Sequence, residues 1–193
     1  MKFNHTQESG RSMVEMLGVP TIIGVLSVGG IAGYSQAMAK FKVTKAMDQV
    51  QTIITNMRTL YASSRKYAKI SAQQAYNVGI LTDETFKNGA GFNPFGGQII
   101  FDIAQDGRTF TVAYTKLTPE ACVKIATAEW GSDESSGLMS ITLGTSSDEK
   151  KTDGTPFKWE SSGEKTNLLP ISVADAISQC GNKTEGFIKW EYR

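Results

Sequence analysis

The sequence predicts an α+β protein in which one long N-terminal helix packs on an antiparallel sheet. Three observations predict this fold: residues 16–39 carry no charge, an apolar stripe with helical spacing follows at once, and alternating segments with turn signals fill the C-terminal part. The chain has 193 residues and a net charge of +1. This balance gives no electrostatic case for binding nucleic acid.

Residues 16–39, MLGVPTIIGVLSVGGIAGYSQAMA, are apolar on all sides. A helix over this stretch would be roughly 36 Å long, enough to cross a hydrocarbon core of about 30 Å. Pro20 lies inside it and predicts a local kink, which membrane helices tolerate. The stretch therefore predicts a transmembrane helix.

The residues after this stretch predict that the helix continues as an amphipathic one. Apolar side chains recur every three or four residues, and neither Gly nor Pro occurs from Tyr34 to Val78. We expect one helix from about residue 11 to about residue 63, with a core-facing stripe in its second half. The stripe consists of Val43, Met47, Val50, Ile54, Met57 and Tyr61.

The remaining elements follow from turn, cap and alternation signals. In chain order, the first are short helices at Ser71 and at Thr82-Asp83-Glu84, a hairpin of strands 98–103 and 109–117 around Asp106-Gly107, and a helix that begins at Thr118-Pro119-Glu120. A strand over 138–143, an exposed stretch over 144–167 anchored by Phe157 and Trp159, and a helix over 172–179 follow. In the last strand, Ile188, Trp190 and Tyr192 alternate with Lys189, Glu191 and Arg193, which we expect to face solvent.

The pattern of reactive side chains argues against an enzyme. The one histidine, His5, lies near the N-terminus, and no Ser/His/Asp, Cys/His or metal-ligating constellation is present. The glycine clusters over residues 88–97 lack the spacing and the lysine of a phosphate-binding loop. We therefore expect no catalytic residue, no cofactor and no metal.

The residues that precede the apolar stretch carry a more specific signal. Gly10 is followed five residues later by Glu15, a carboxylate at the edge of the uninterrupted apolar run. This pattern resembles the processing site of type IV prepilins. The resemblance implies a leader over residues 1–10, cleavage by prepilin peptidase between Gly10 and Arg11, and methylation of the new N-terminus of Arg11. Arg11 is a departure, because the family usually has an apolar residue there.

A role for Glu15 follows from the same resemblance. In a helical filament its carboxylate can pair with the α-amine of the next subunit, which neutralises two charges in an apolar shaft. This pairing would set the stagger between subunits. The alternative is that Glu15 only marks the membrane interface.

Cys122 and Cys180 are separated by 58 positions. In an exported domain the oxidising compartment favours a disulfide, and closing such a loop is worth roughly 4 kcal/mol in the chain-entropy model. Two free buried thiols, or half of a metal site, remain the alternatives.

Three further segments resemble type IVb pilins: Lys45-Ala46, Asn93-Pro94-Phe95, and the run from Leu117 to Cys122. The resemblance implies the pilin fold, with residues 11–39 as the transmembrane and polymerisation half of the spine helix and 40–193 as the globular head. It implies a variable surface between the two cysteines. It also implies a homopolymer, the inner-membrane assembly machinery as a partner, and a precursor in the bacterial inner membrane that becomes an extracellular filament.

Other protein classes fit parts of the same pattern. A minor pilin or a type II secretion pseudopilin shares all the N-terminal features. A secreted protein could be cleaved after Ala39, because Ala37-Met38-Ala39 has the form of a leader peptidase site. A signal-anchored enzyme is disfavoured by the missing catalytic constellation.

Overall fold

The computed structural model describes residues 13–64, 66–145, 152–160, 166–180 and 185–193, and it describes side chains from residue 30 onward. Two compact units divide the chain: one ends at Lys40 and the other is Phe41–Arg193. Helix α1 spans Met13–Leu60 and passes through Pro20 without a break. The long N-terminal helix expected from the sequence is therefore present.

The second unit, which we call the head, consists of the last part of α1 and an antiparallel sheet with three short helices. The described strands form one sheet of order β1-β2-β3-β4-β7-β5-β6, and every neighbouring pair is antiparallel. The elements after α1 are α2 Ala72–Asn77, β1 Phe86–Lys87, β2 Ala90–Phe92, β3 Gln98–Ile103, β4 Phe110–Leu117, α3 Pro119–Ala126, a 3-10 helix Glu134–Ser136, β5 Leu138–Gly144, β6 Thr155–Lys158, α4 Val173–Cys180 and β7 Gly186–Tyr192.

The core of the head forms between the inner face of α1 and one face of the sheet. Val43, Val50, Ile54 and Met57 of the predicted stripe are buried, and Met47 and Tyr61 pack against the same core. Ala46 and Ile53 are buried as well. The buried face of the helix is thus wider than the predicted stripe, as expected for a helix that lies against a sheet rather than in a coiled-coil seam.

The prediction of a helix that begins at Thr82-Asp83-Glu84 is wrong. The segment is a tight turn in which the Thr82 carbonyl accepts hydrogen bonds from the amides of Thr85 and Phe86, at 3.0 and 2.9 Å. The hydroxyl of Thr85 also accepts from the Thr82 amide at 2.8 Å. No helix can continue from this turn, because Phe86 already pairs with Gly91 in the sheet.

The stretch 144–167, predicted to be only an exposed excursion, contains strand β6. Its residue Phe157 pairs with Ile141 of β5 and is 1% exposed. Trp159 donates from its ring nitrogen to the Leu138 carbonyl at 2.8 Å. The two predicted anchors are therefore confirmed, and they hold an edge strand rather than a loop.

Candidate functional site

The predicted processing and assembly residues lie at the start of the chain. Gly10 and Arg11 lie outside the described residues. The backbone of Glu15 is part of α1, and its side chain lies outside the described part. Its pairing with an α-amine therefore stays a prediction.

Residues 30–41 of α1, which we call the exposed segment, show what the spine helix presents to its surroundings. Ile31 is 70% exposed, Tyr34 67% and Phe41 57%. A Cβ added at Gly30 or Gly33 would meet nothing within 4 Å. This stretch of helix thus carries exposed apolar side chains and two glycines. Packing within the chain does not require glycine at either position, because a Cβ there would contact no other atom.

Among the described residues, no helix combines the length and the apolar character needed to cross a membrane. Residues 16–29 of the predicted transmembrane stretch lie outside the part whose side chains are described.

The two cysteines are joined by a disulfide between α3 and α4, with a Cα–Cα distance of 5.8 Å. Both side chains are buried, at 0% and 1% exposure. Gly186, at the start of β7, lies under this bond, and a Cβ there would stand 3.2 Å from the sulfur of Cys122. The bond therefore joins α3 to α4 and packs closely against the start of β7.

Asn93, part of the segment that resembles type IVb pilins, stabilises the turn between β2 and β3. Its amide nitrogen donates to the Thr115 carbonyl at 2.8 Å, and its side-chain oxygen accepts from the amides of Phe95 and Gly97 at 2.9 and 3.1 Å. These bonds use three of the four hydrogen-bonding positions of the buried asparagine side chain. The motif thus has a structural role in the head.

Arg58 is a positioning residue that the sequence reading missed. Its guanidinium donates to the Ser136 carbonyl at 3.0 Å, which ties the last turn of α1 to the turn before β5. That turn is closed by Gly137 at φ +85°, and the amide of Arg193 donates to the Gly137 carbonyl at 2.8 Å. A basic residue in the last helical turn was the available signal.

Several tyrosines of the head have raised pKa values. Burial raises the pKa of Tyr114 well above its usual range, and burial likewise raises the pKa of Tyr192 to about 12. A hydrogen bond to Asp83 raises the pKa of Tyr76. In the described ranges, no group of three or more His, Cys, Asp or Glu side chains could hold a metal ion.

Comparison with known proteins identifies this arrangement. The family model described as PilS N terminal matches residues 40–185. The structure is similar to the crystal structure of TcpA, a type IV pilin from Vibrio cholerae El Tor biotype. The TM-score is 0.51 at 16% sequence identity, over 79% of this chain and 99% of that chain. No curated protein sequence matches.

The family match covers most of the chain, including α1 from Lys40, both cysteines and strands β1 to β6, and it ends just before β7. The likeness to TcpA covers the same architecture, a long N-terminal helix with an antiparallel sheet. The chain belongs to the PilS N-terminal family and has the fold of a type IV pilin.

Proposed function

We propose that the chain is the structural subunit of a type IV pilus filament of the type IVb kind. It is made as a precursor in the bacterial inner membrane, cleaved by prepilin peptidase between Gly10 and Arg11, and methylated at Arg11. The assembly machinery of the inner membrane then adds it to an extracellular homopolymer. The observation that carries this proposal is the exposed segment of α1, which continues into the head as one helix.

The exposed segment supports polymerisation through its apolar area. Each large apolar side chain gains roughly 1.5–3 kcal/mol when it is fully buried. Ile31, Tyr34 and Phe41 each leave more than half of their surface exposed in the isolated chain. Lipid can cover such a surface before assembly, and neighbouring spine helices can cover it afterwards.

The glycines of this segment support the same function. A glycine inside a helix costs roughly 1 kcal/mol relative to alanine, and Gly30 and Gly33 meet no atom of their own chain that a Cβ would disturb. Small residues let two helix backbones approach closely in an apolar environment. Close contact with a neighbouring helix would therefore explain why glycine occupies these two positions.

Glu15 supplies the specificity that apolar contact lacks. An ionised carboxylate at the edge of an apolar shaft costs a few kcal/mol unless it is paired. The α-amine created by cleavage before Arg11 is a cation of the next subunit that can reach it. Apolar helices could slide along one another, and this ion pair fixes one stagger.

The proposal is tested by replacing Glu15 and following processing and assembly separately. We expect Glu15→Val to give protein with the leader removed but few filaments by electron microscopy. The matched control is Gly10→Leu, which should leave the leader attached, seen as an unshifted band. Normal piliation by the Glu15→Val protein would overturn the pairing.

The mature N-terminus tests the processing step directly. Intact-mass and N-terminal analysis should find N-methylated Arg11. An N-terminus at Lys40 would show instead a secretory signal cleaved after Ala39. Antibody labelling along the whole filament, rather than at rare points, is expected for a major subunit and excludes a minor pilin or a pseudopilin.

A further inference from the structure

The outer face of the sheet, opposite α1, carries a groove of about 670 Å³. We call it the outer groove. It runs across β3, β4, β7, β5 and β6, and Lys69 and residues 152–154 close its rim. Its size is within the range of small-molecule sites, roughly 300–1,000 Å³.

Strand register arranges the lining of this groove in two parallel rows. Each row takes one residue from each of the five strands. Since neighbouring strands lie about 4.8 Å apart, a row of five spans about 19 Å. The first row is Asp102, Thr111, Glu191, Ser140 and Lys158, and the second is Ile100, Ala113, Lys189, Thr142 and Pro156.

The central side chains of the groove are held in place. The carboxylate of Glu191 accepts hydrogen bonds from the hydroxyls of Thr109 and Ser140, both at 2.9 Å. The ammonium of Lys189 donates to the Thr152 carbonyl at 3.0 Å. The sequence predicted a wet strand face here, whereas both side chains are half-buried and partnered. Fixed side chains lose little rotamer freedom when a ligand binds.

Each central group has hydrogen-bonding capacity beyond these contacts. A carboxylate offers about four acceptor sites and an ammonium three donors, and the contacts above use two and one of them. The half-buried Thr111 adds a hydroxyl beside Glu191 in the first row, whereas Thr142 is buried at 6% exposure. The groove thus presents donors, acceptors and hydroxyls together, a lining that suits a ligand rich in hydroxyl groups.

The charge of the lining selects among hydrophilic ligands. Three lysines, Lys69, Lys158 and Lys189, face three carboxylates among the described lining residues: Asp102, Asp153 and Glu191. Balanced charge gives no attraction for a polyanion such as nucleic acid or a sulfated polysaccharide. Ile100 and Pro156 add small apolar patches on which the carbon face of a sugar ring can lie.

We propose that the outer groove binds an uncharged oligosaccharide chain laid across the strands. One strand spacing is close to the length of one hexose unit in an extended chain, so consecutive rings meet consecutive strands. Glu191 and Lys189 accept from and donate to ring hydroxyls at the centre. The site is a property of the head and does not depend on filament formation.

The test uses the full chain in a detergent without a sugar head group, lauryldimethylamine oxide. Binding is measured on an array of uncharged hexose oligosaccharides, with sialylated and sulfated oligosaccharides beside them. Thr111→Trp places a large side chain in the first row directly beside its central residue, Glu191, and should abolish binding. Gln51→Trp places the same side chain at an exposed position of α1 and should bind as the wild type does.

Glu191→Gln keeps the shape of the side chain and removes its charge. We expect it to bind about tenfold or more weakly, because a hydrogen bond to a charged group is worth roughly 1.5–3 kcal/mol. This variant decides the matter if Thr111→Trp does not fold by near-ultraviolet circular dichroism. The proposal is overturned if the folded wild type binds no uncharged oligosaccharide, if it prefers sulfated ones, or if folded groove variants bind unchanged.

Discussion

The two halves of α1 both carry large apolar side chains, but they differ in how far the chain itself buries them. In the head half, Val50 and Met57 are completely buried against the sheet. In the exposed segment, Ile31 and Tyr34 keep about 70% of their surface open, at 70% and 67%. Both halves are helical and both carry large apolar side chains. One half thus completes its packing within the chain, whereas the other half leaves apolar surface open, which under the proposed function a neighbouring subunit covers.

This difference separates stability from assembly. Residues of the head half determine whether a subunit folds. Under the proposed function, residues of the exposed segment determine whether folded subunits associate. Exposed apolar side chains on a helix are unfavourable in water, and the proposed function covers them with lipid first and with other copies of the chain afterwards. Paired substitutions, one in each half, test whether folding stability and filament assembly depend on different parts of α1.

The largest effect is expected from truncating a buried side chain of the head half. Met57→Ala should lower the free energy of unfolding by about 2–5 kcal/mol, because it leaves a cavity at a side chain that is 0% exposed. Urea unfolding of the full chain, followed by tryptophan fluorescence, measures this, since all three tryptophans lie in the head.

The control for Met57→Ala is Ile31→Ala in the exposed segment. It should change the unfolding of the head by less than about 0.5 kcal/mol and should lower filament yield instead. Equal destabilisation by both substitutions would show that the exposed segment packs within the chain, which would contradict the proposed difference between the two halves of α1.

A pair of glycines gives the next largest contrast. A Cβ at Gly97 would stand 1.9 Å from the carbonyl oxygen of Thr115, so Gly97→Ala forces the backbone apart and should cost about 1–3 kcal/mol in the same unfolding experiment. Gly30→Ala meets open space and should leave unfolding of the head unchanged. It should still reduce assembly, because its methyl group keeps a neighbouring helix at a distance. Full filament yield from Gly30→Ala would contradict close helix approach at this residue.

The sequence predicted the long helix and the central strands because their signals are local. Stripe spacing predicted α1, and the Asp106-Gly107 turn between alternating segments predicted β3 and β4. The cap at Thr118 is also as predicted, with its hydroxyl accepting from the Ala121 amide at 3.3 Å.

The elements that the sequence did not predict depend on distant partners. Strand β6 exists because Phe157 pairs with Ile141, and its own residues give little strand signal. The helix expected at Thr82 is replaced by a turn because Phe86 pairs with Gly91. The outer groove arises from register across five strands, which no local pattern specifies. The processing residues show the reverse case, since sequence motifs alone indicate them.

The smallest effect concerns alkaline pH, and it should arise in the head. Burial raises the pKa of Tyr114 and of Tyr192, the latter to about 12. Both hydroxyls donate within the head, Tyr192 to the Trp130 carbonyl at 3.3 Å and Tyr114 to the Gln49 side chain at 3.5 Å. Between the unfolded pKa near 10 and the higher folded values, the native state holds more protons than the unfolded state. Stability should therefore be complete below pH 10 and fall above it, by about 1.4 kcal/mol per pH unit for each tyrosine.

Urea unfolding at steps from pH 9 to pH 11.5 measures this slope, and substitution assigns it to a region of the chain. Tyr192→Phe should make the fall shallower, because the variant has no proton to lose at that residue. Ile31→Ala, in the exposed segment, is the control at a side chain that is 70% exposed; it removes no titratable group and should leave the slope unchanged. A flat profile in the wild type would mean that the buried hydroxyls do not oppose ionisation. A shallower slope for Ile31→Ala would mean that the exposed segment takes part in the folding equilibrium of the head, because the slope measures the difference in bound protons between the native and unfolded states.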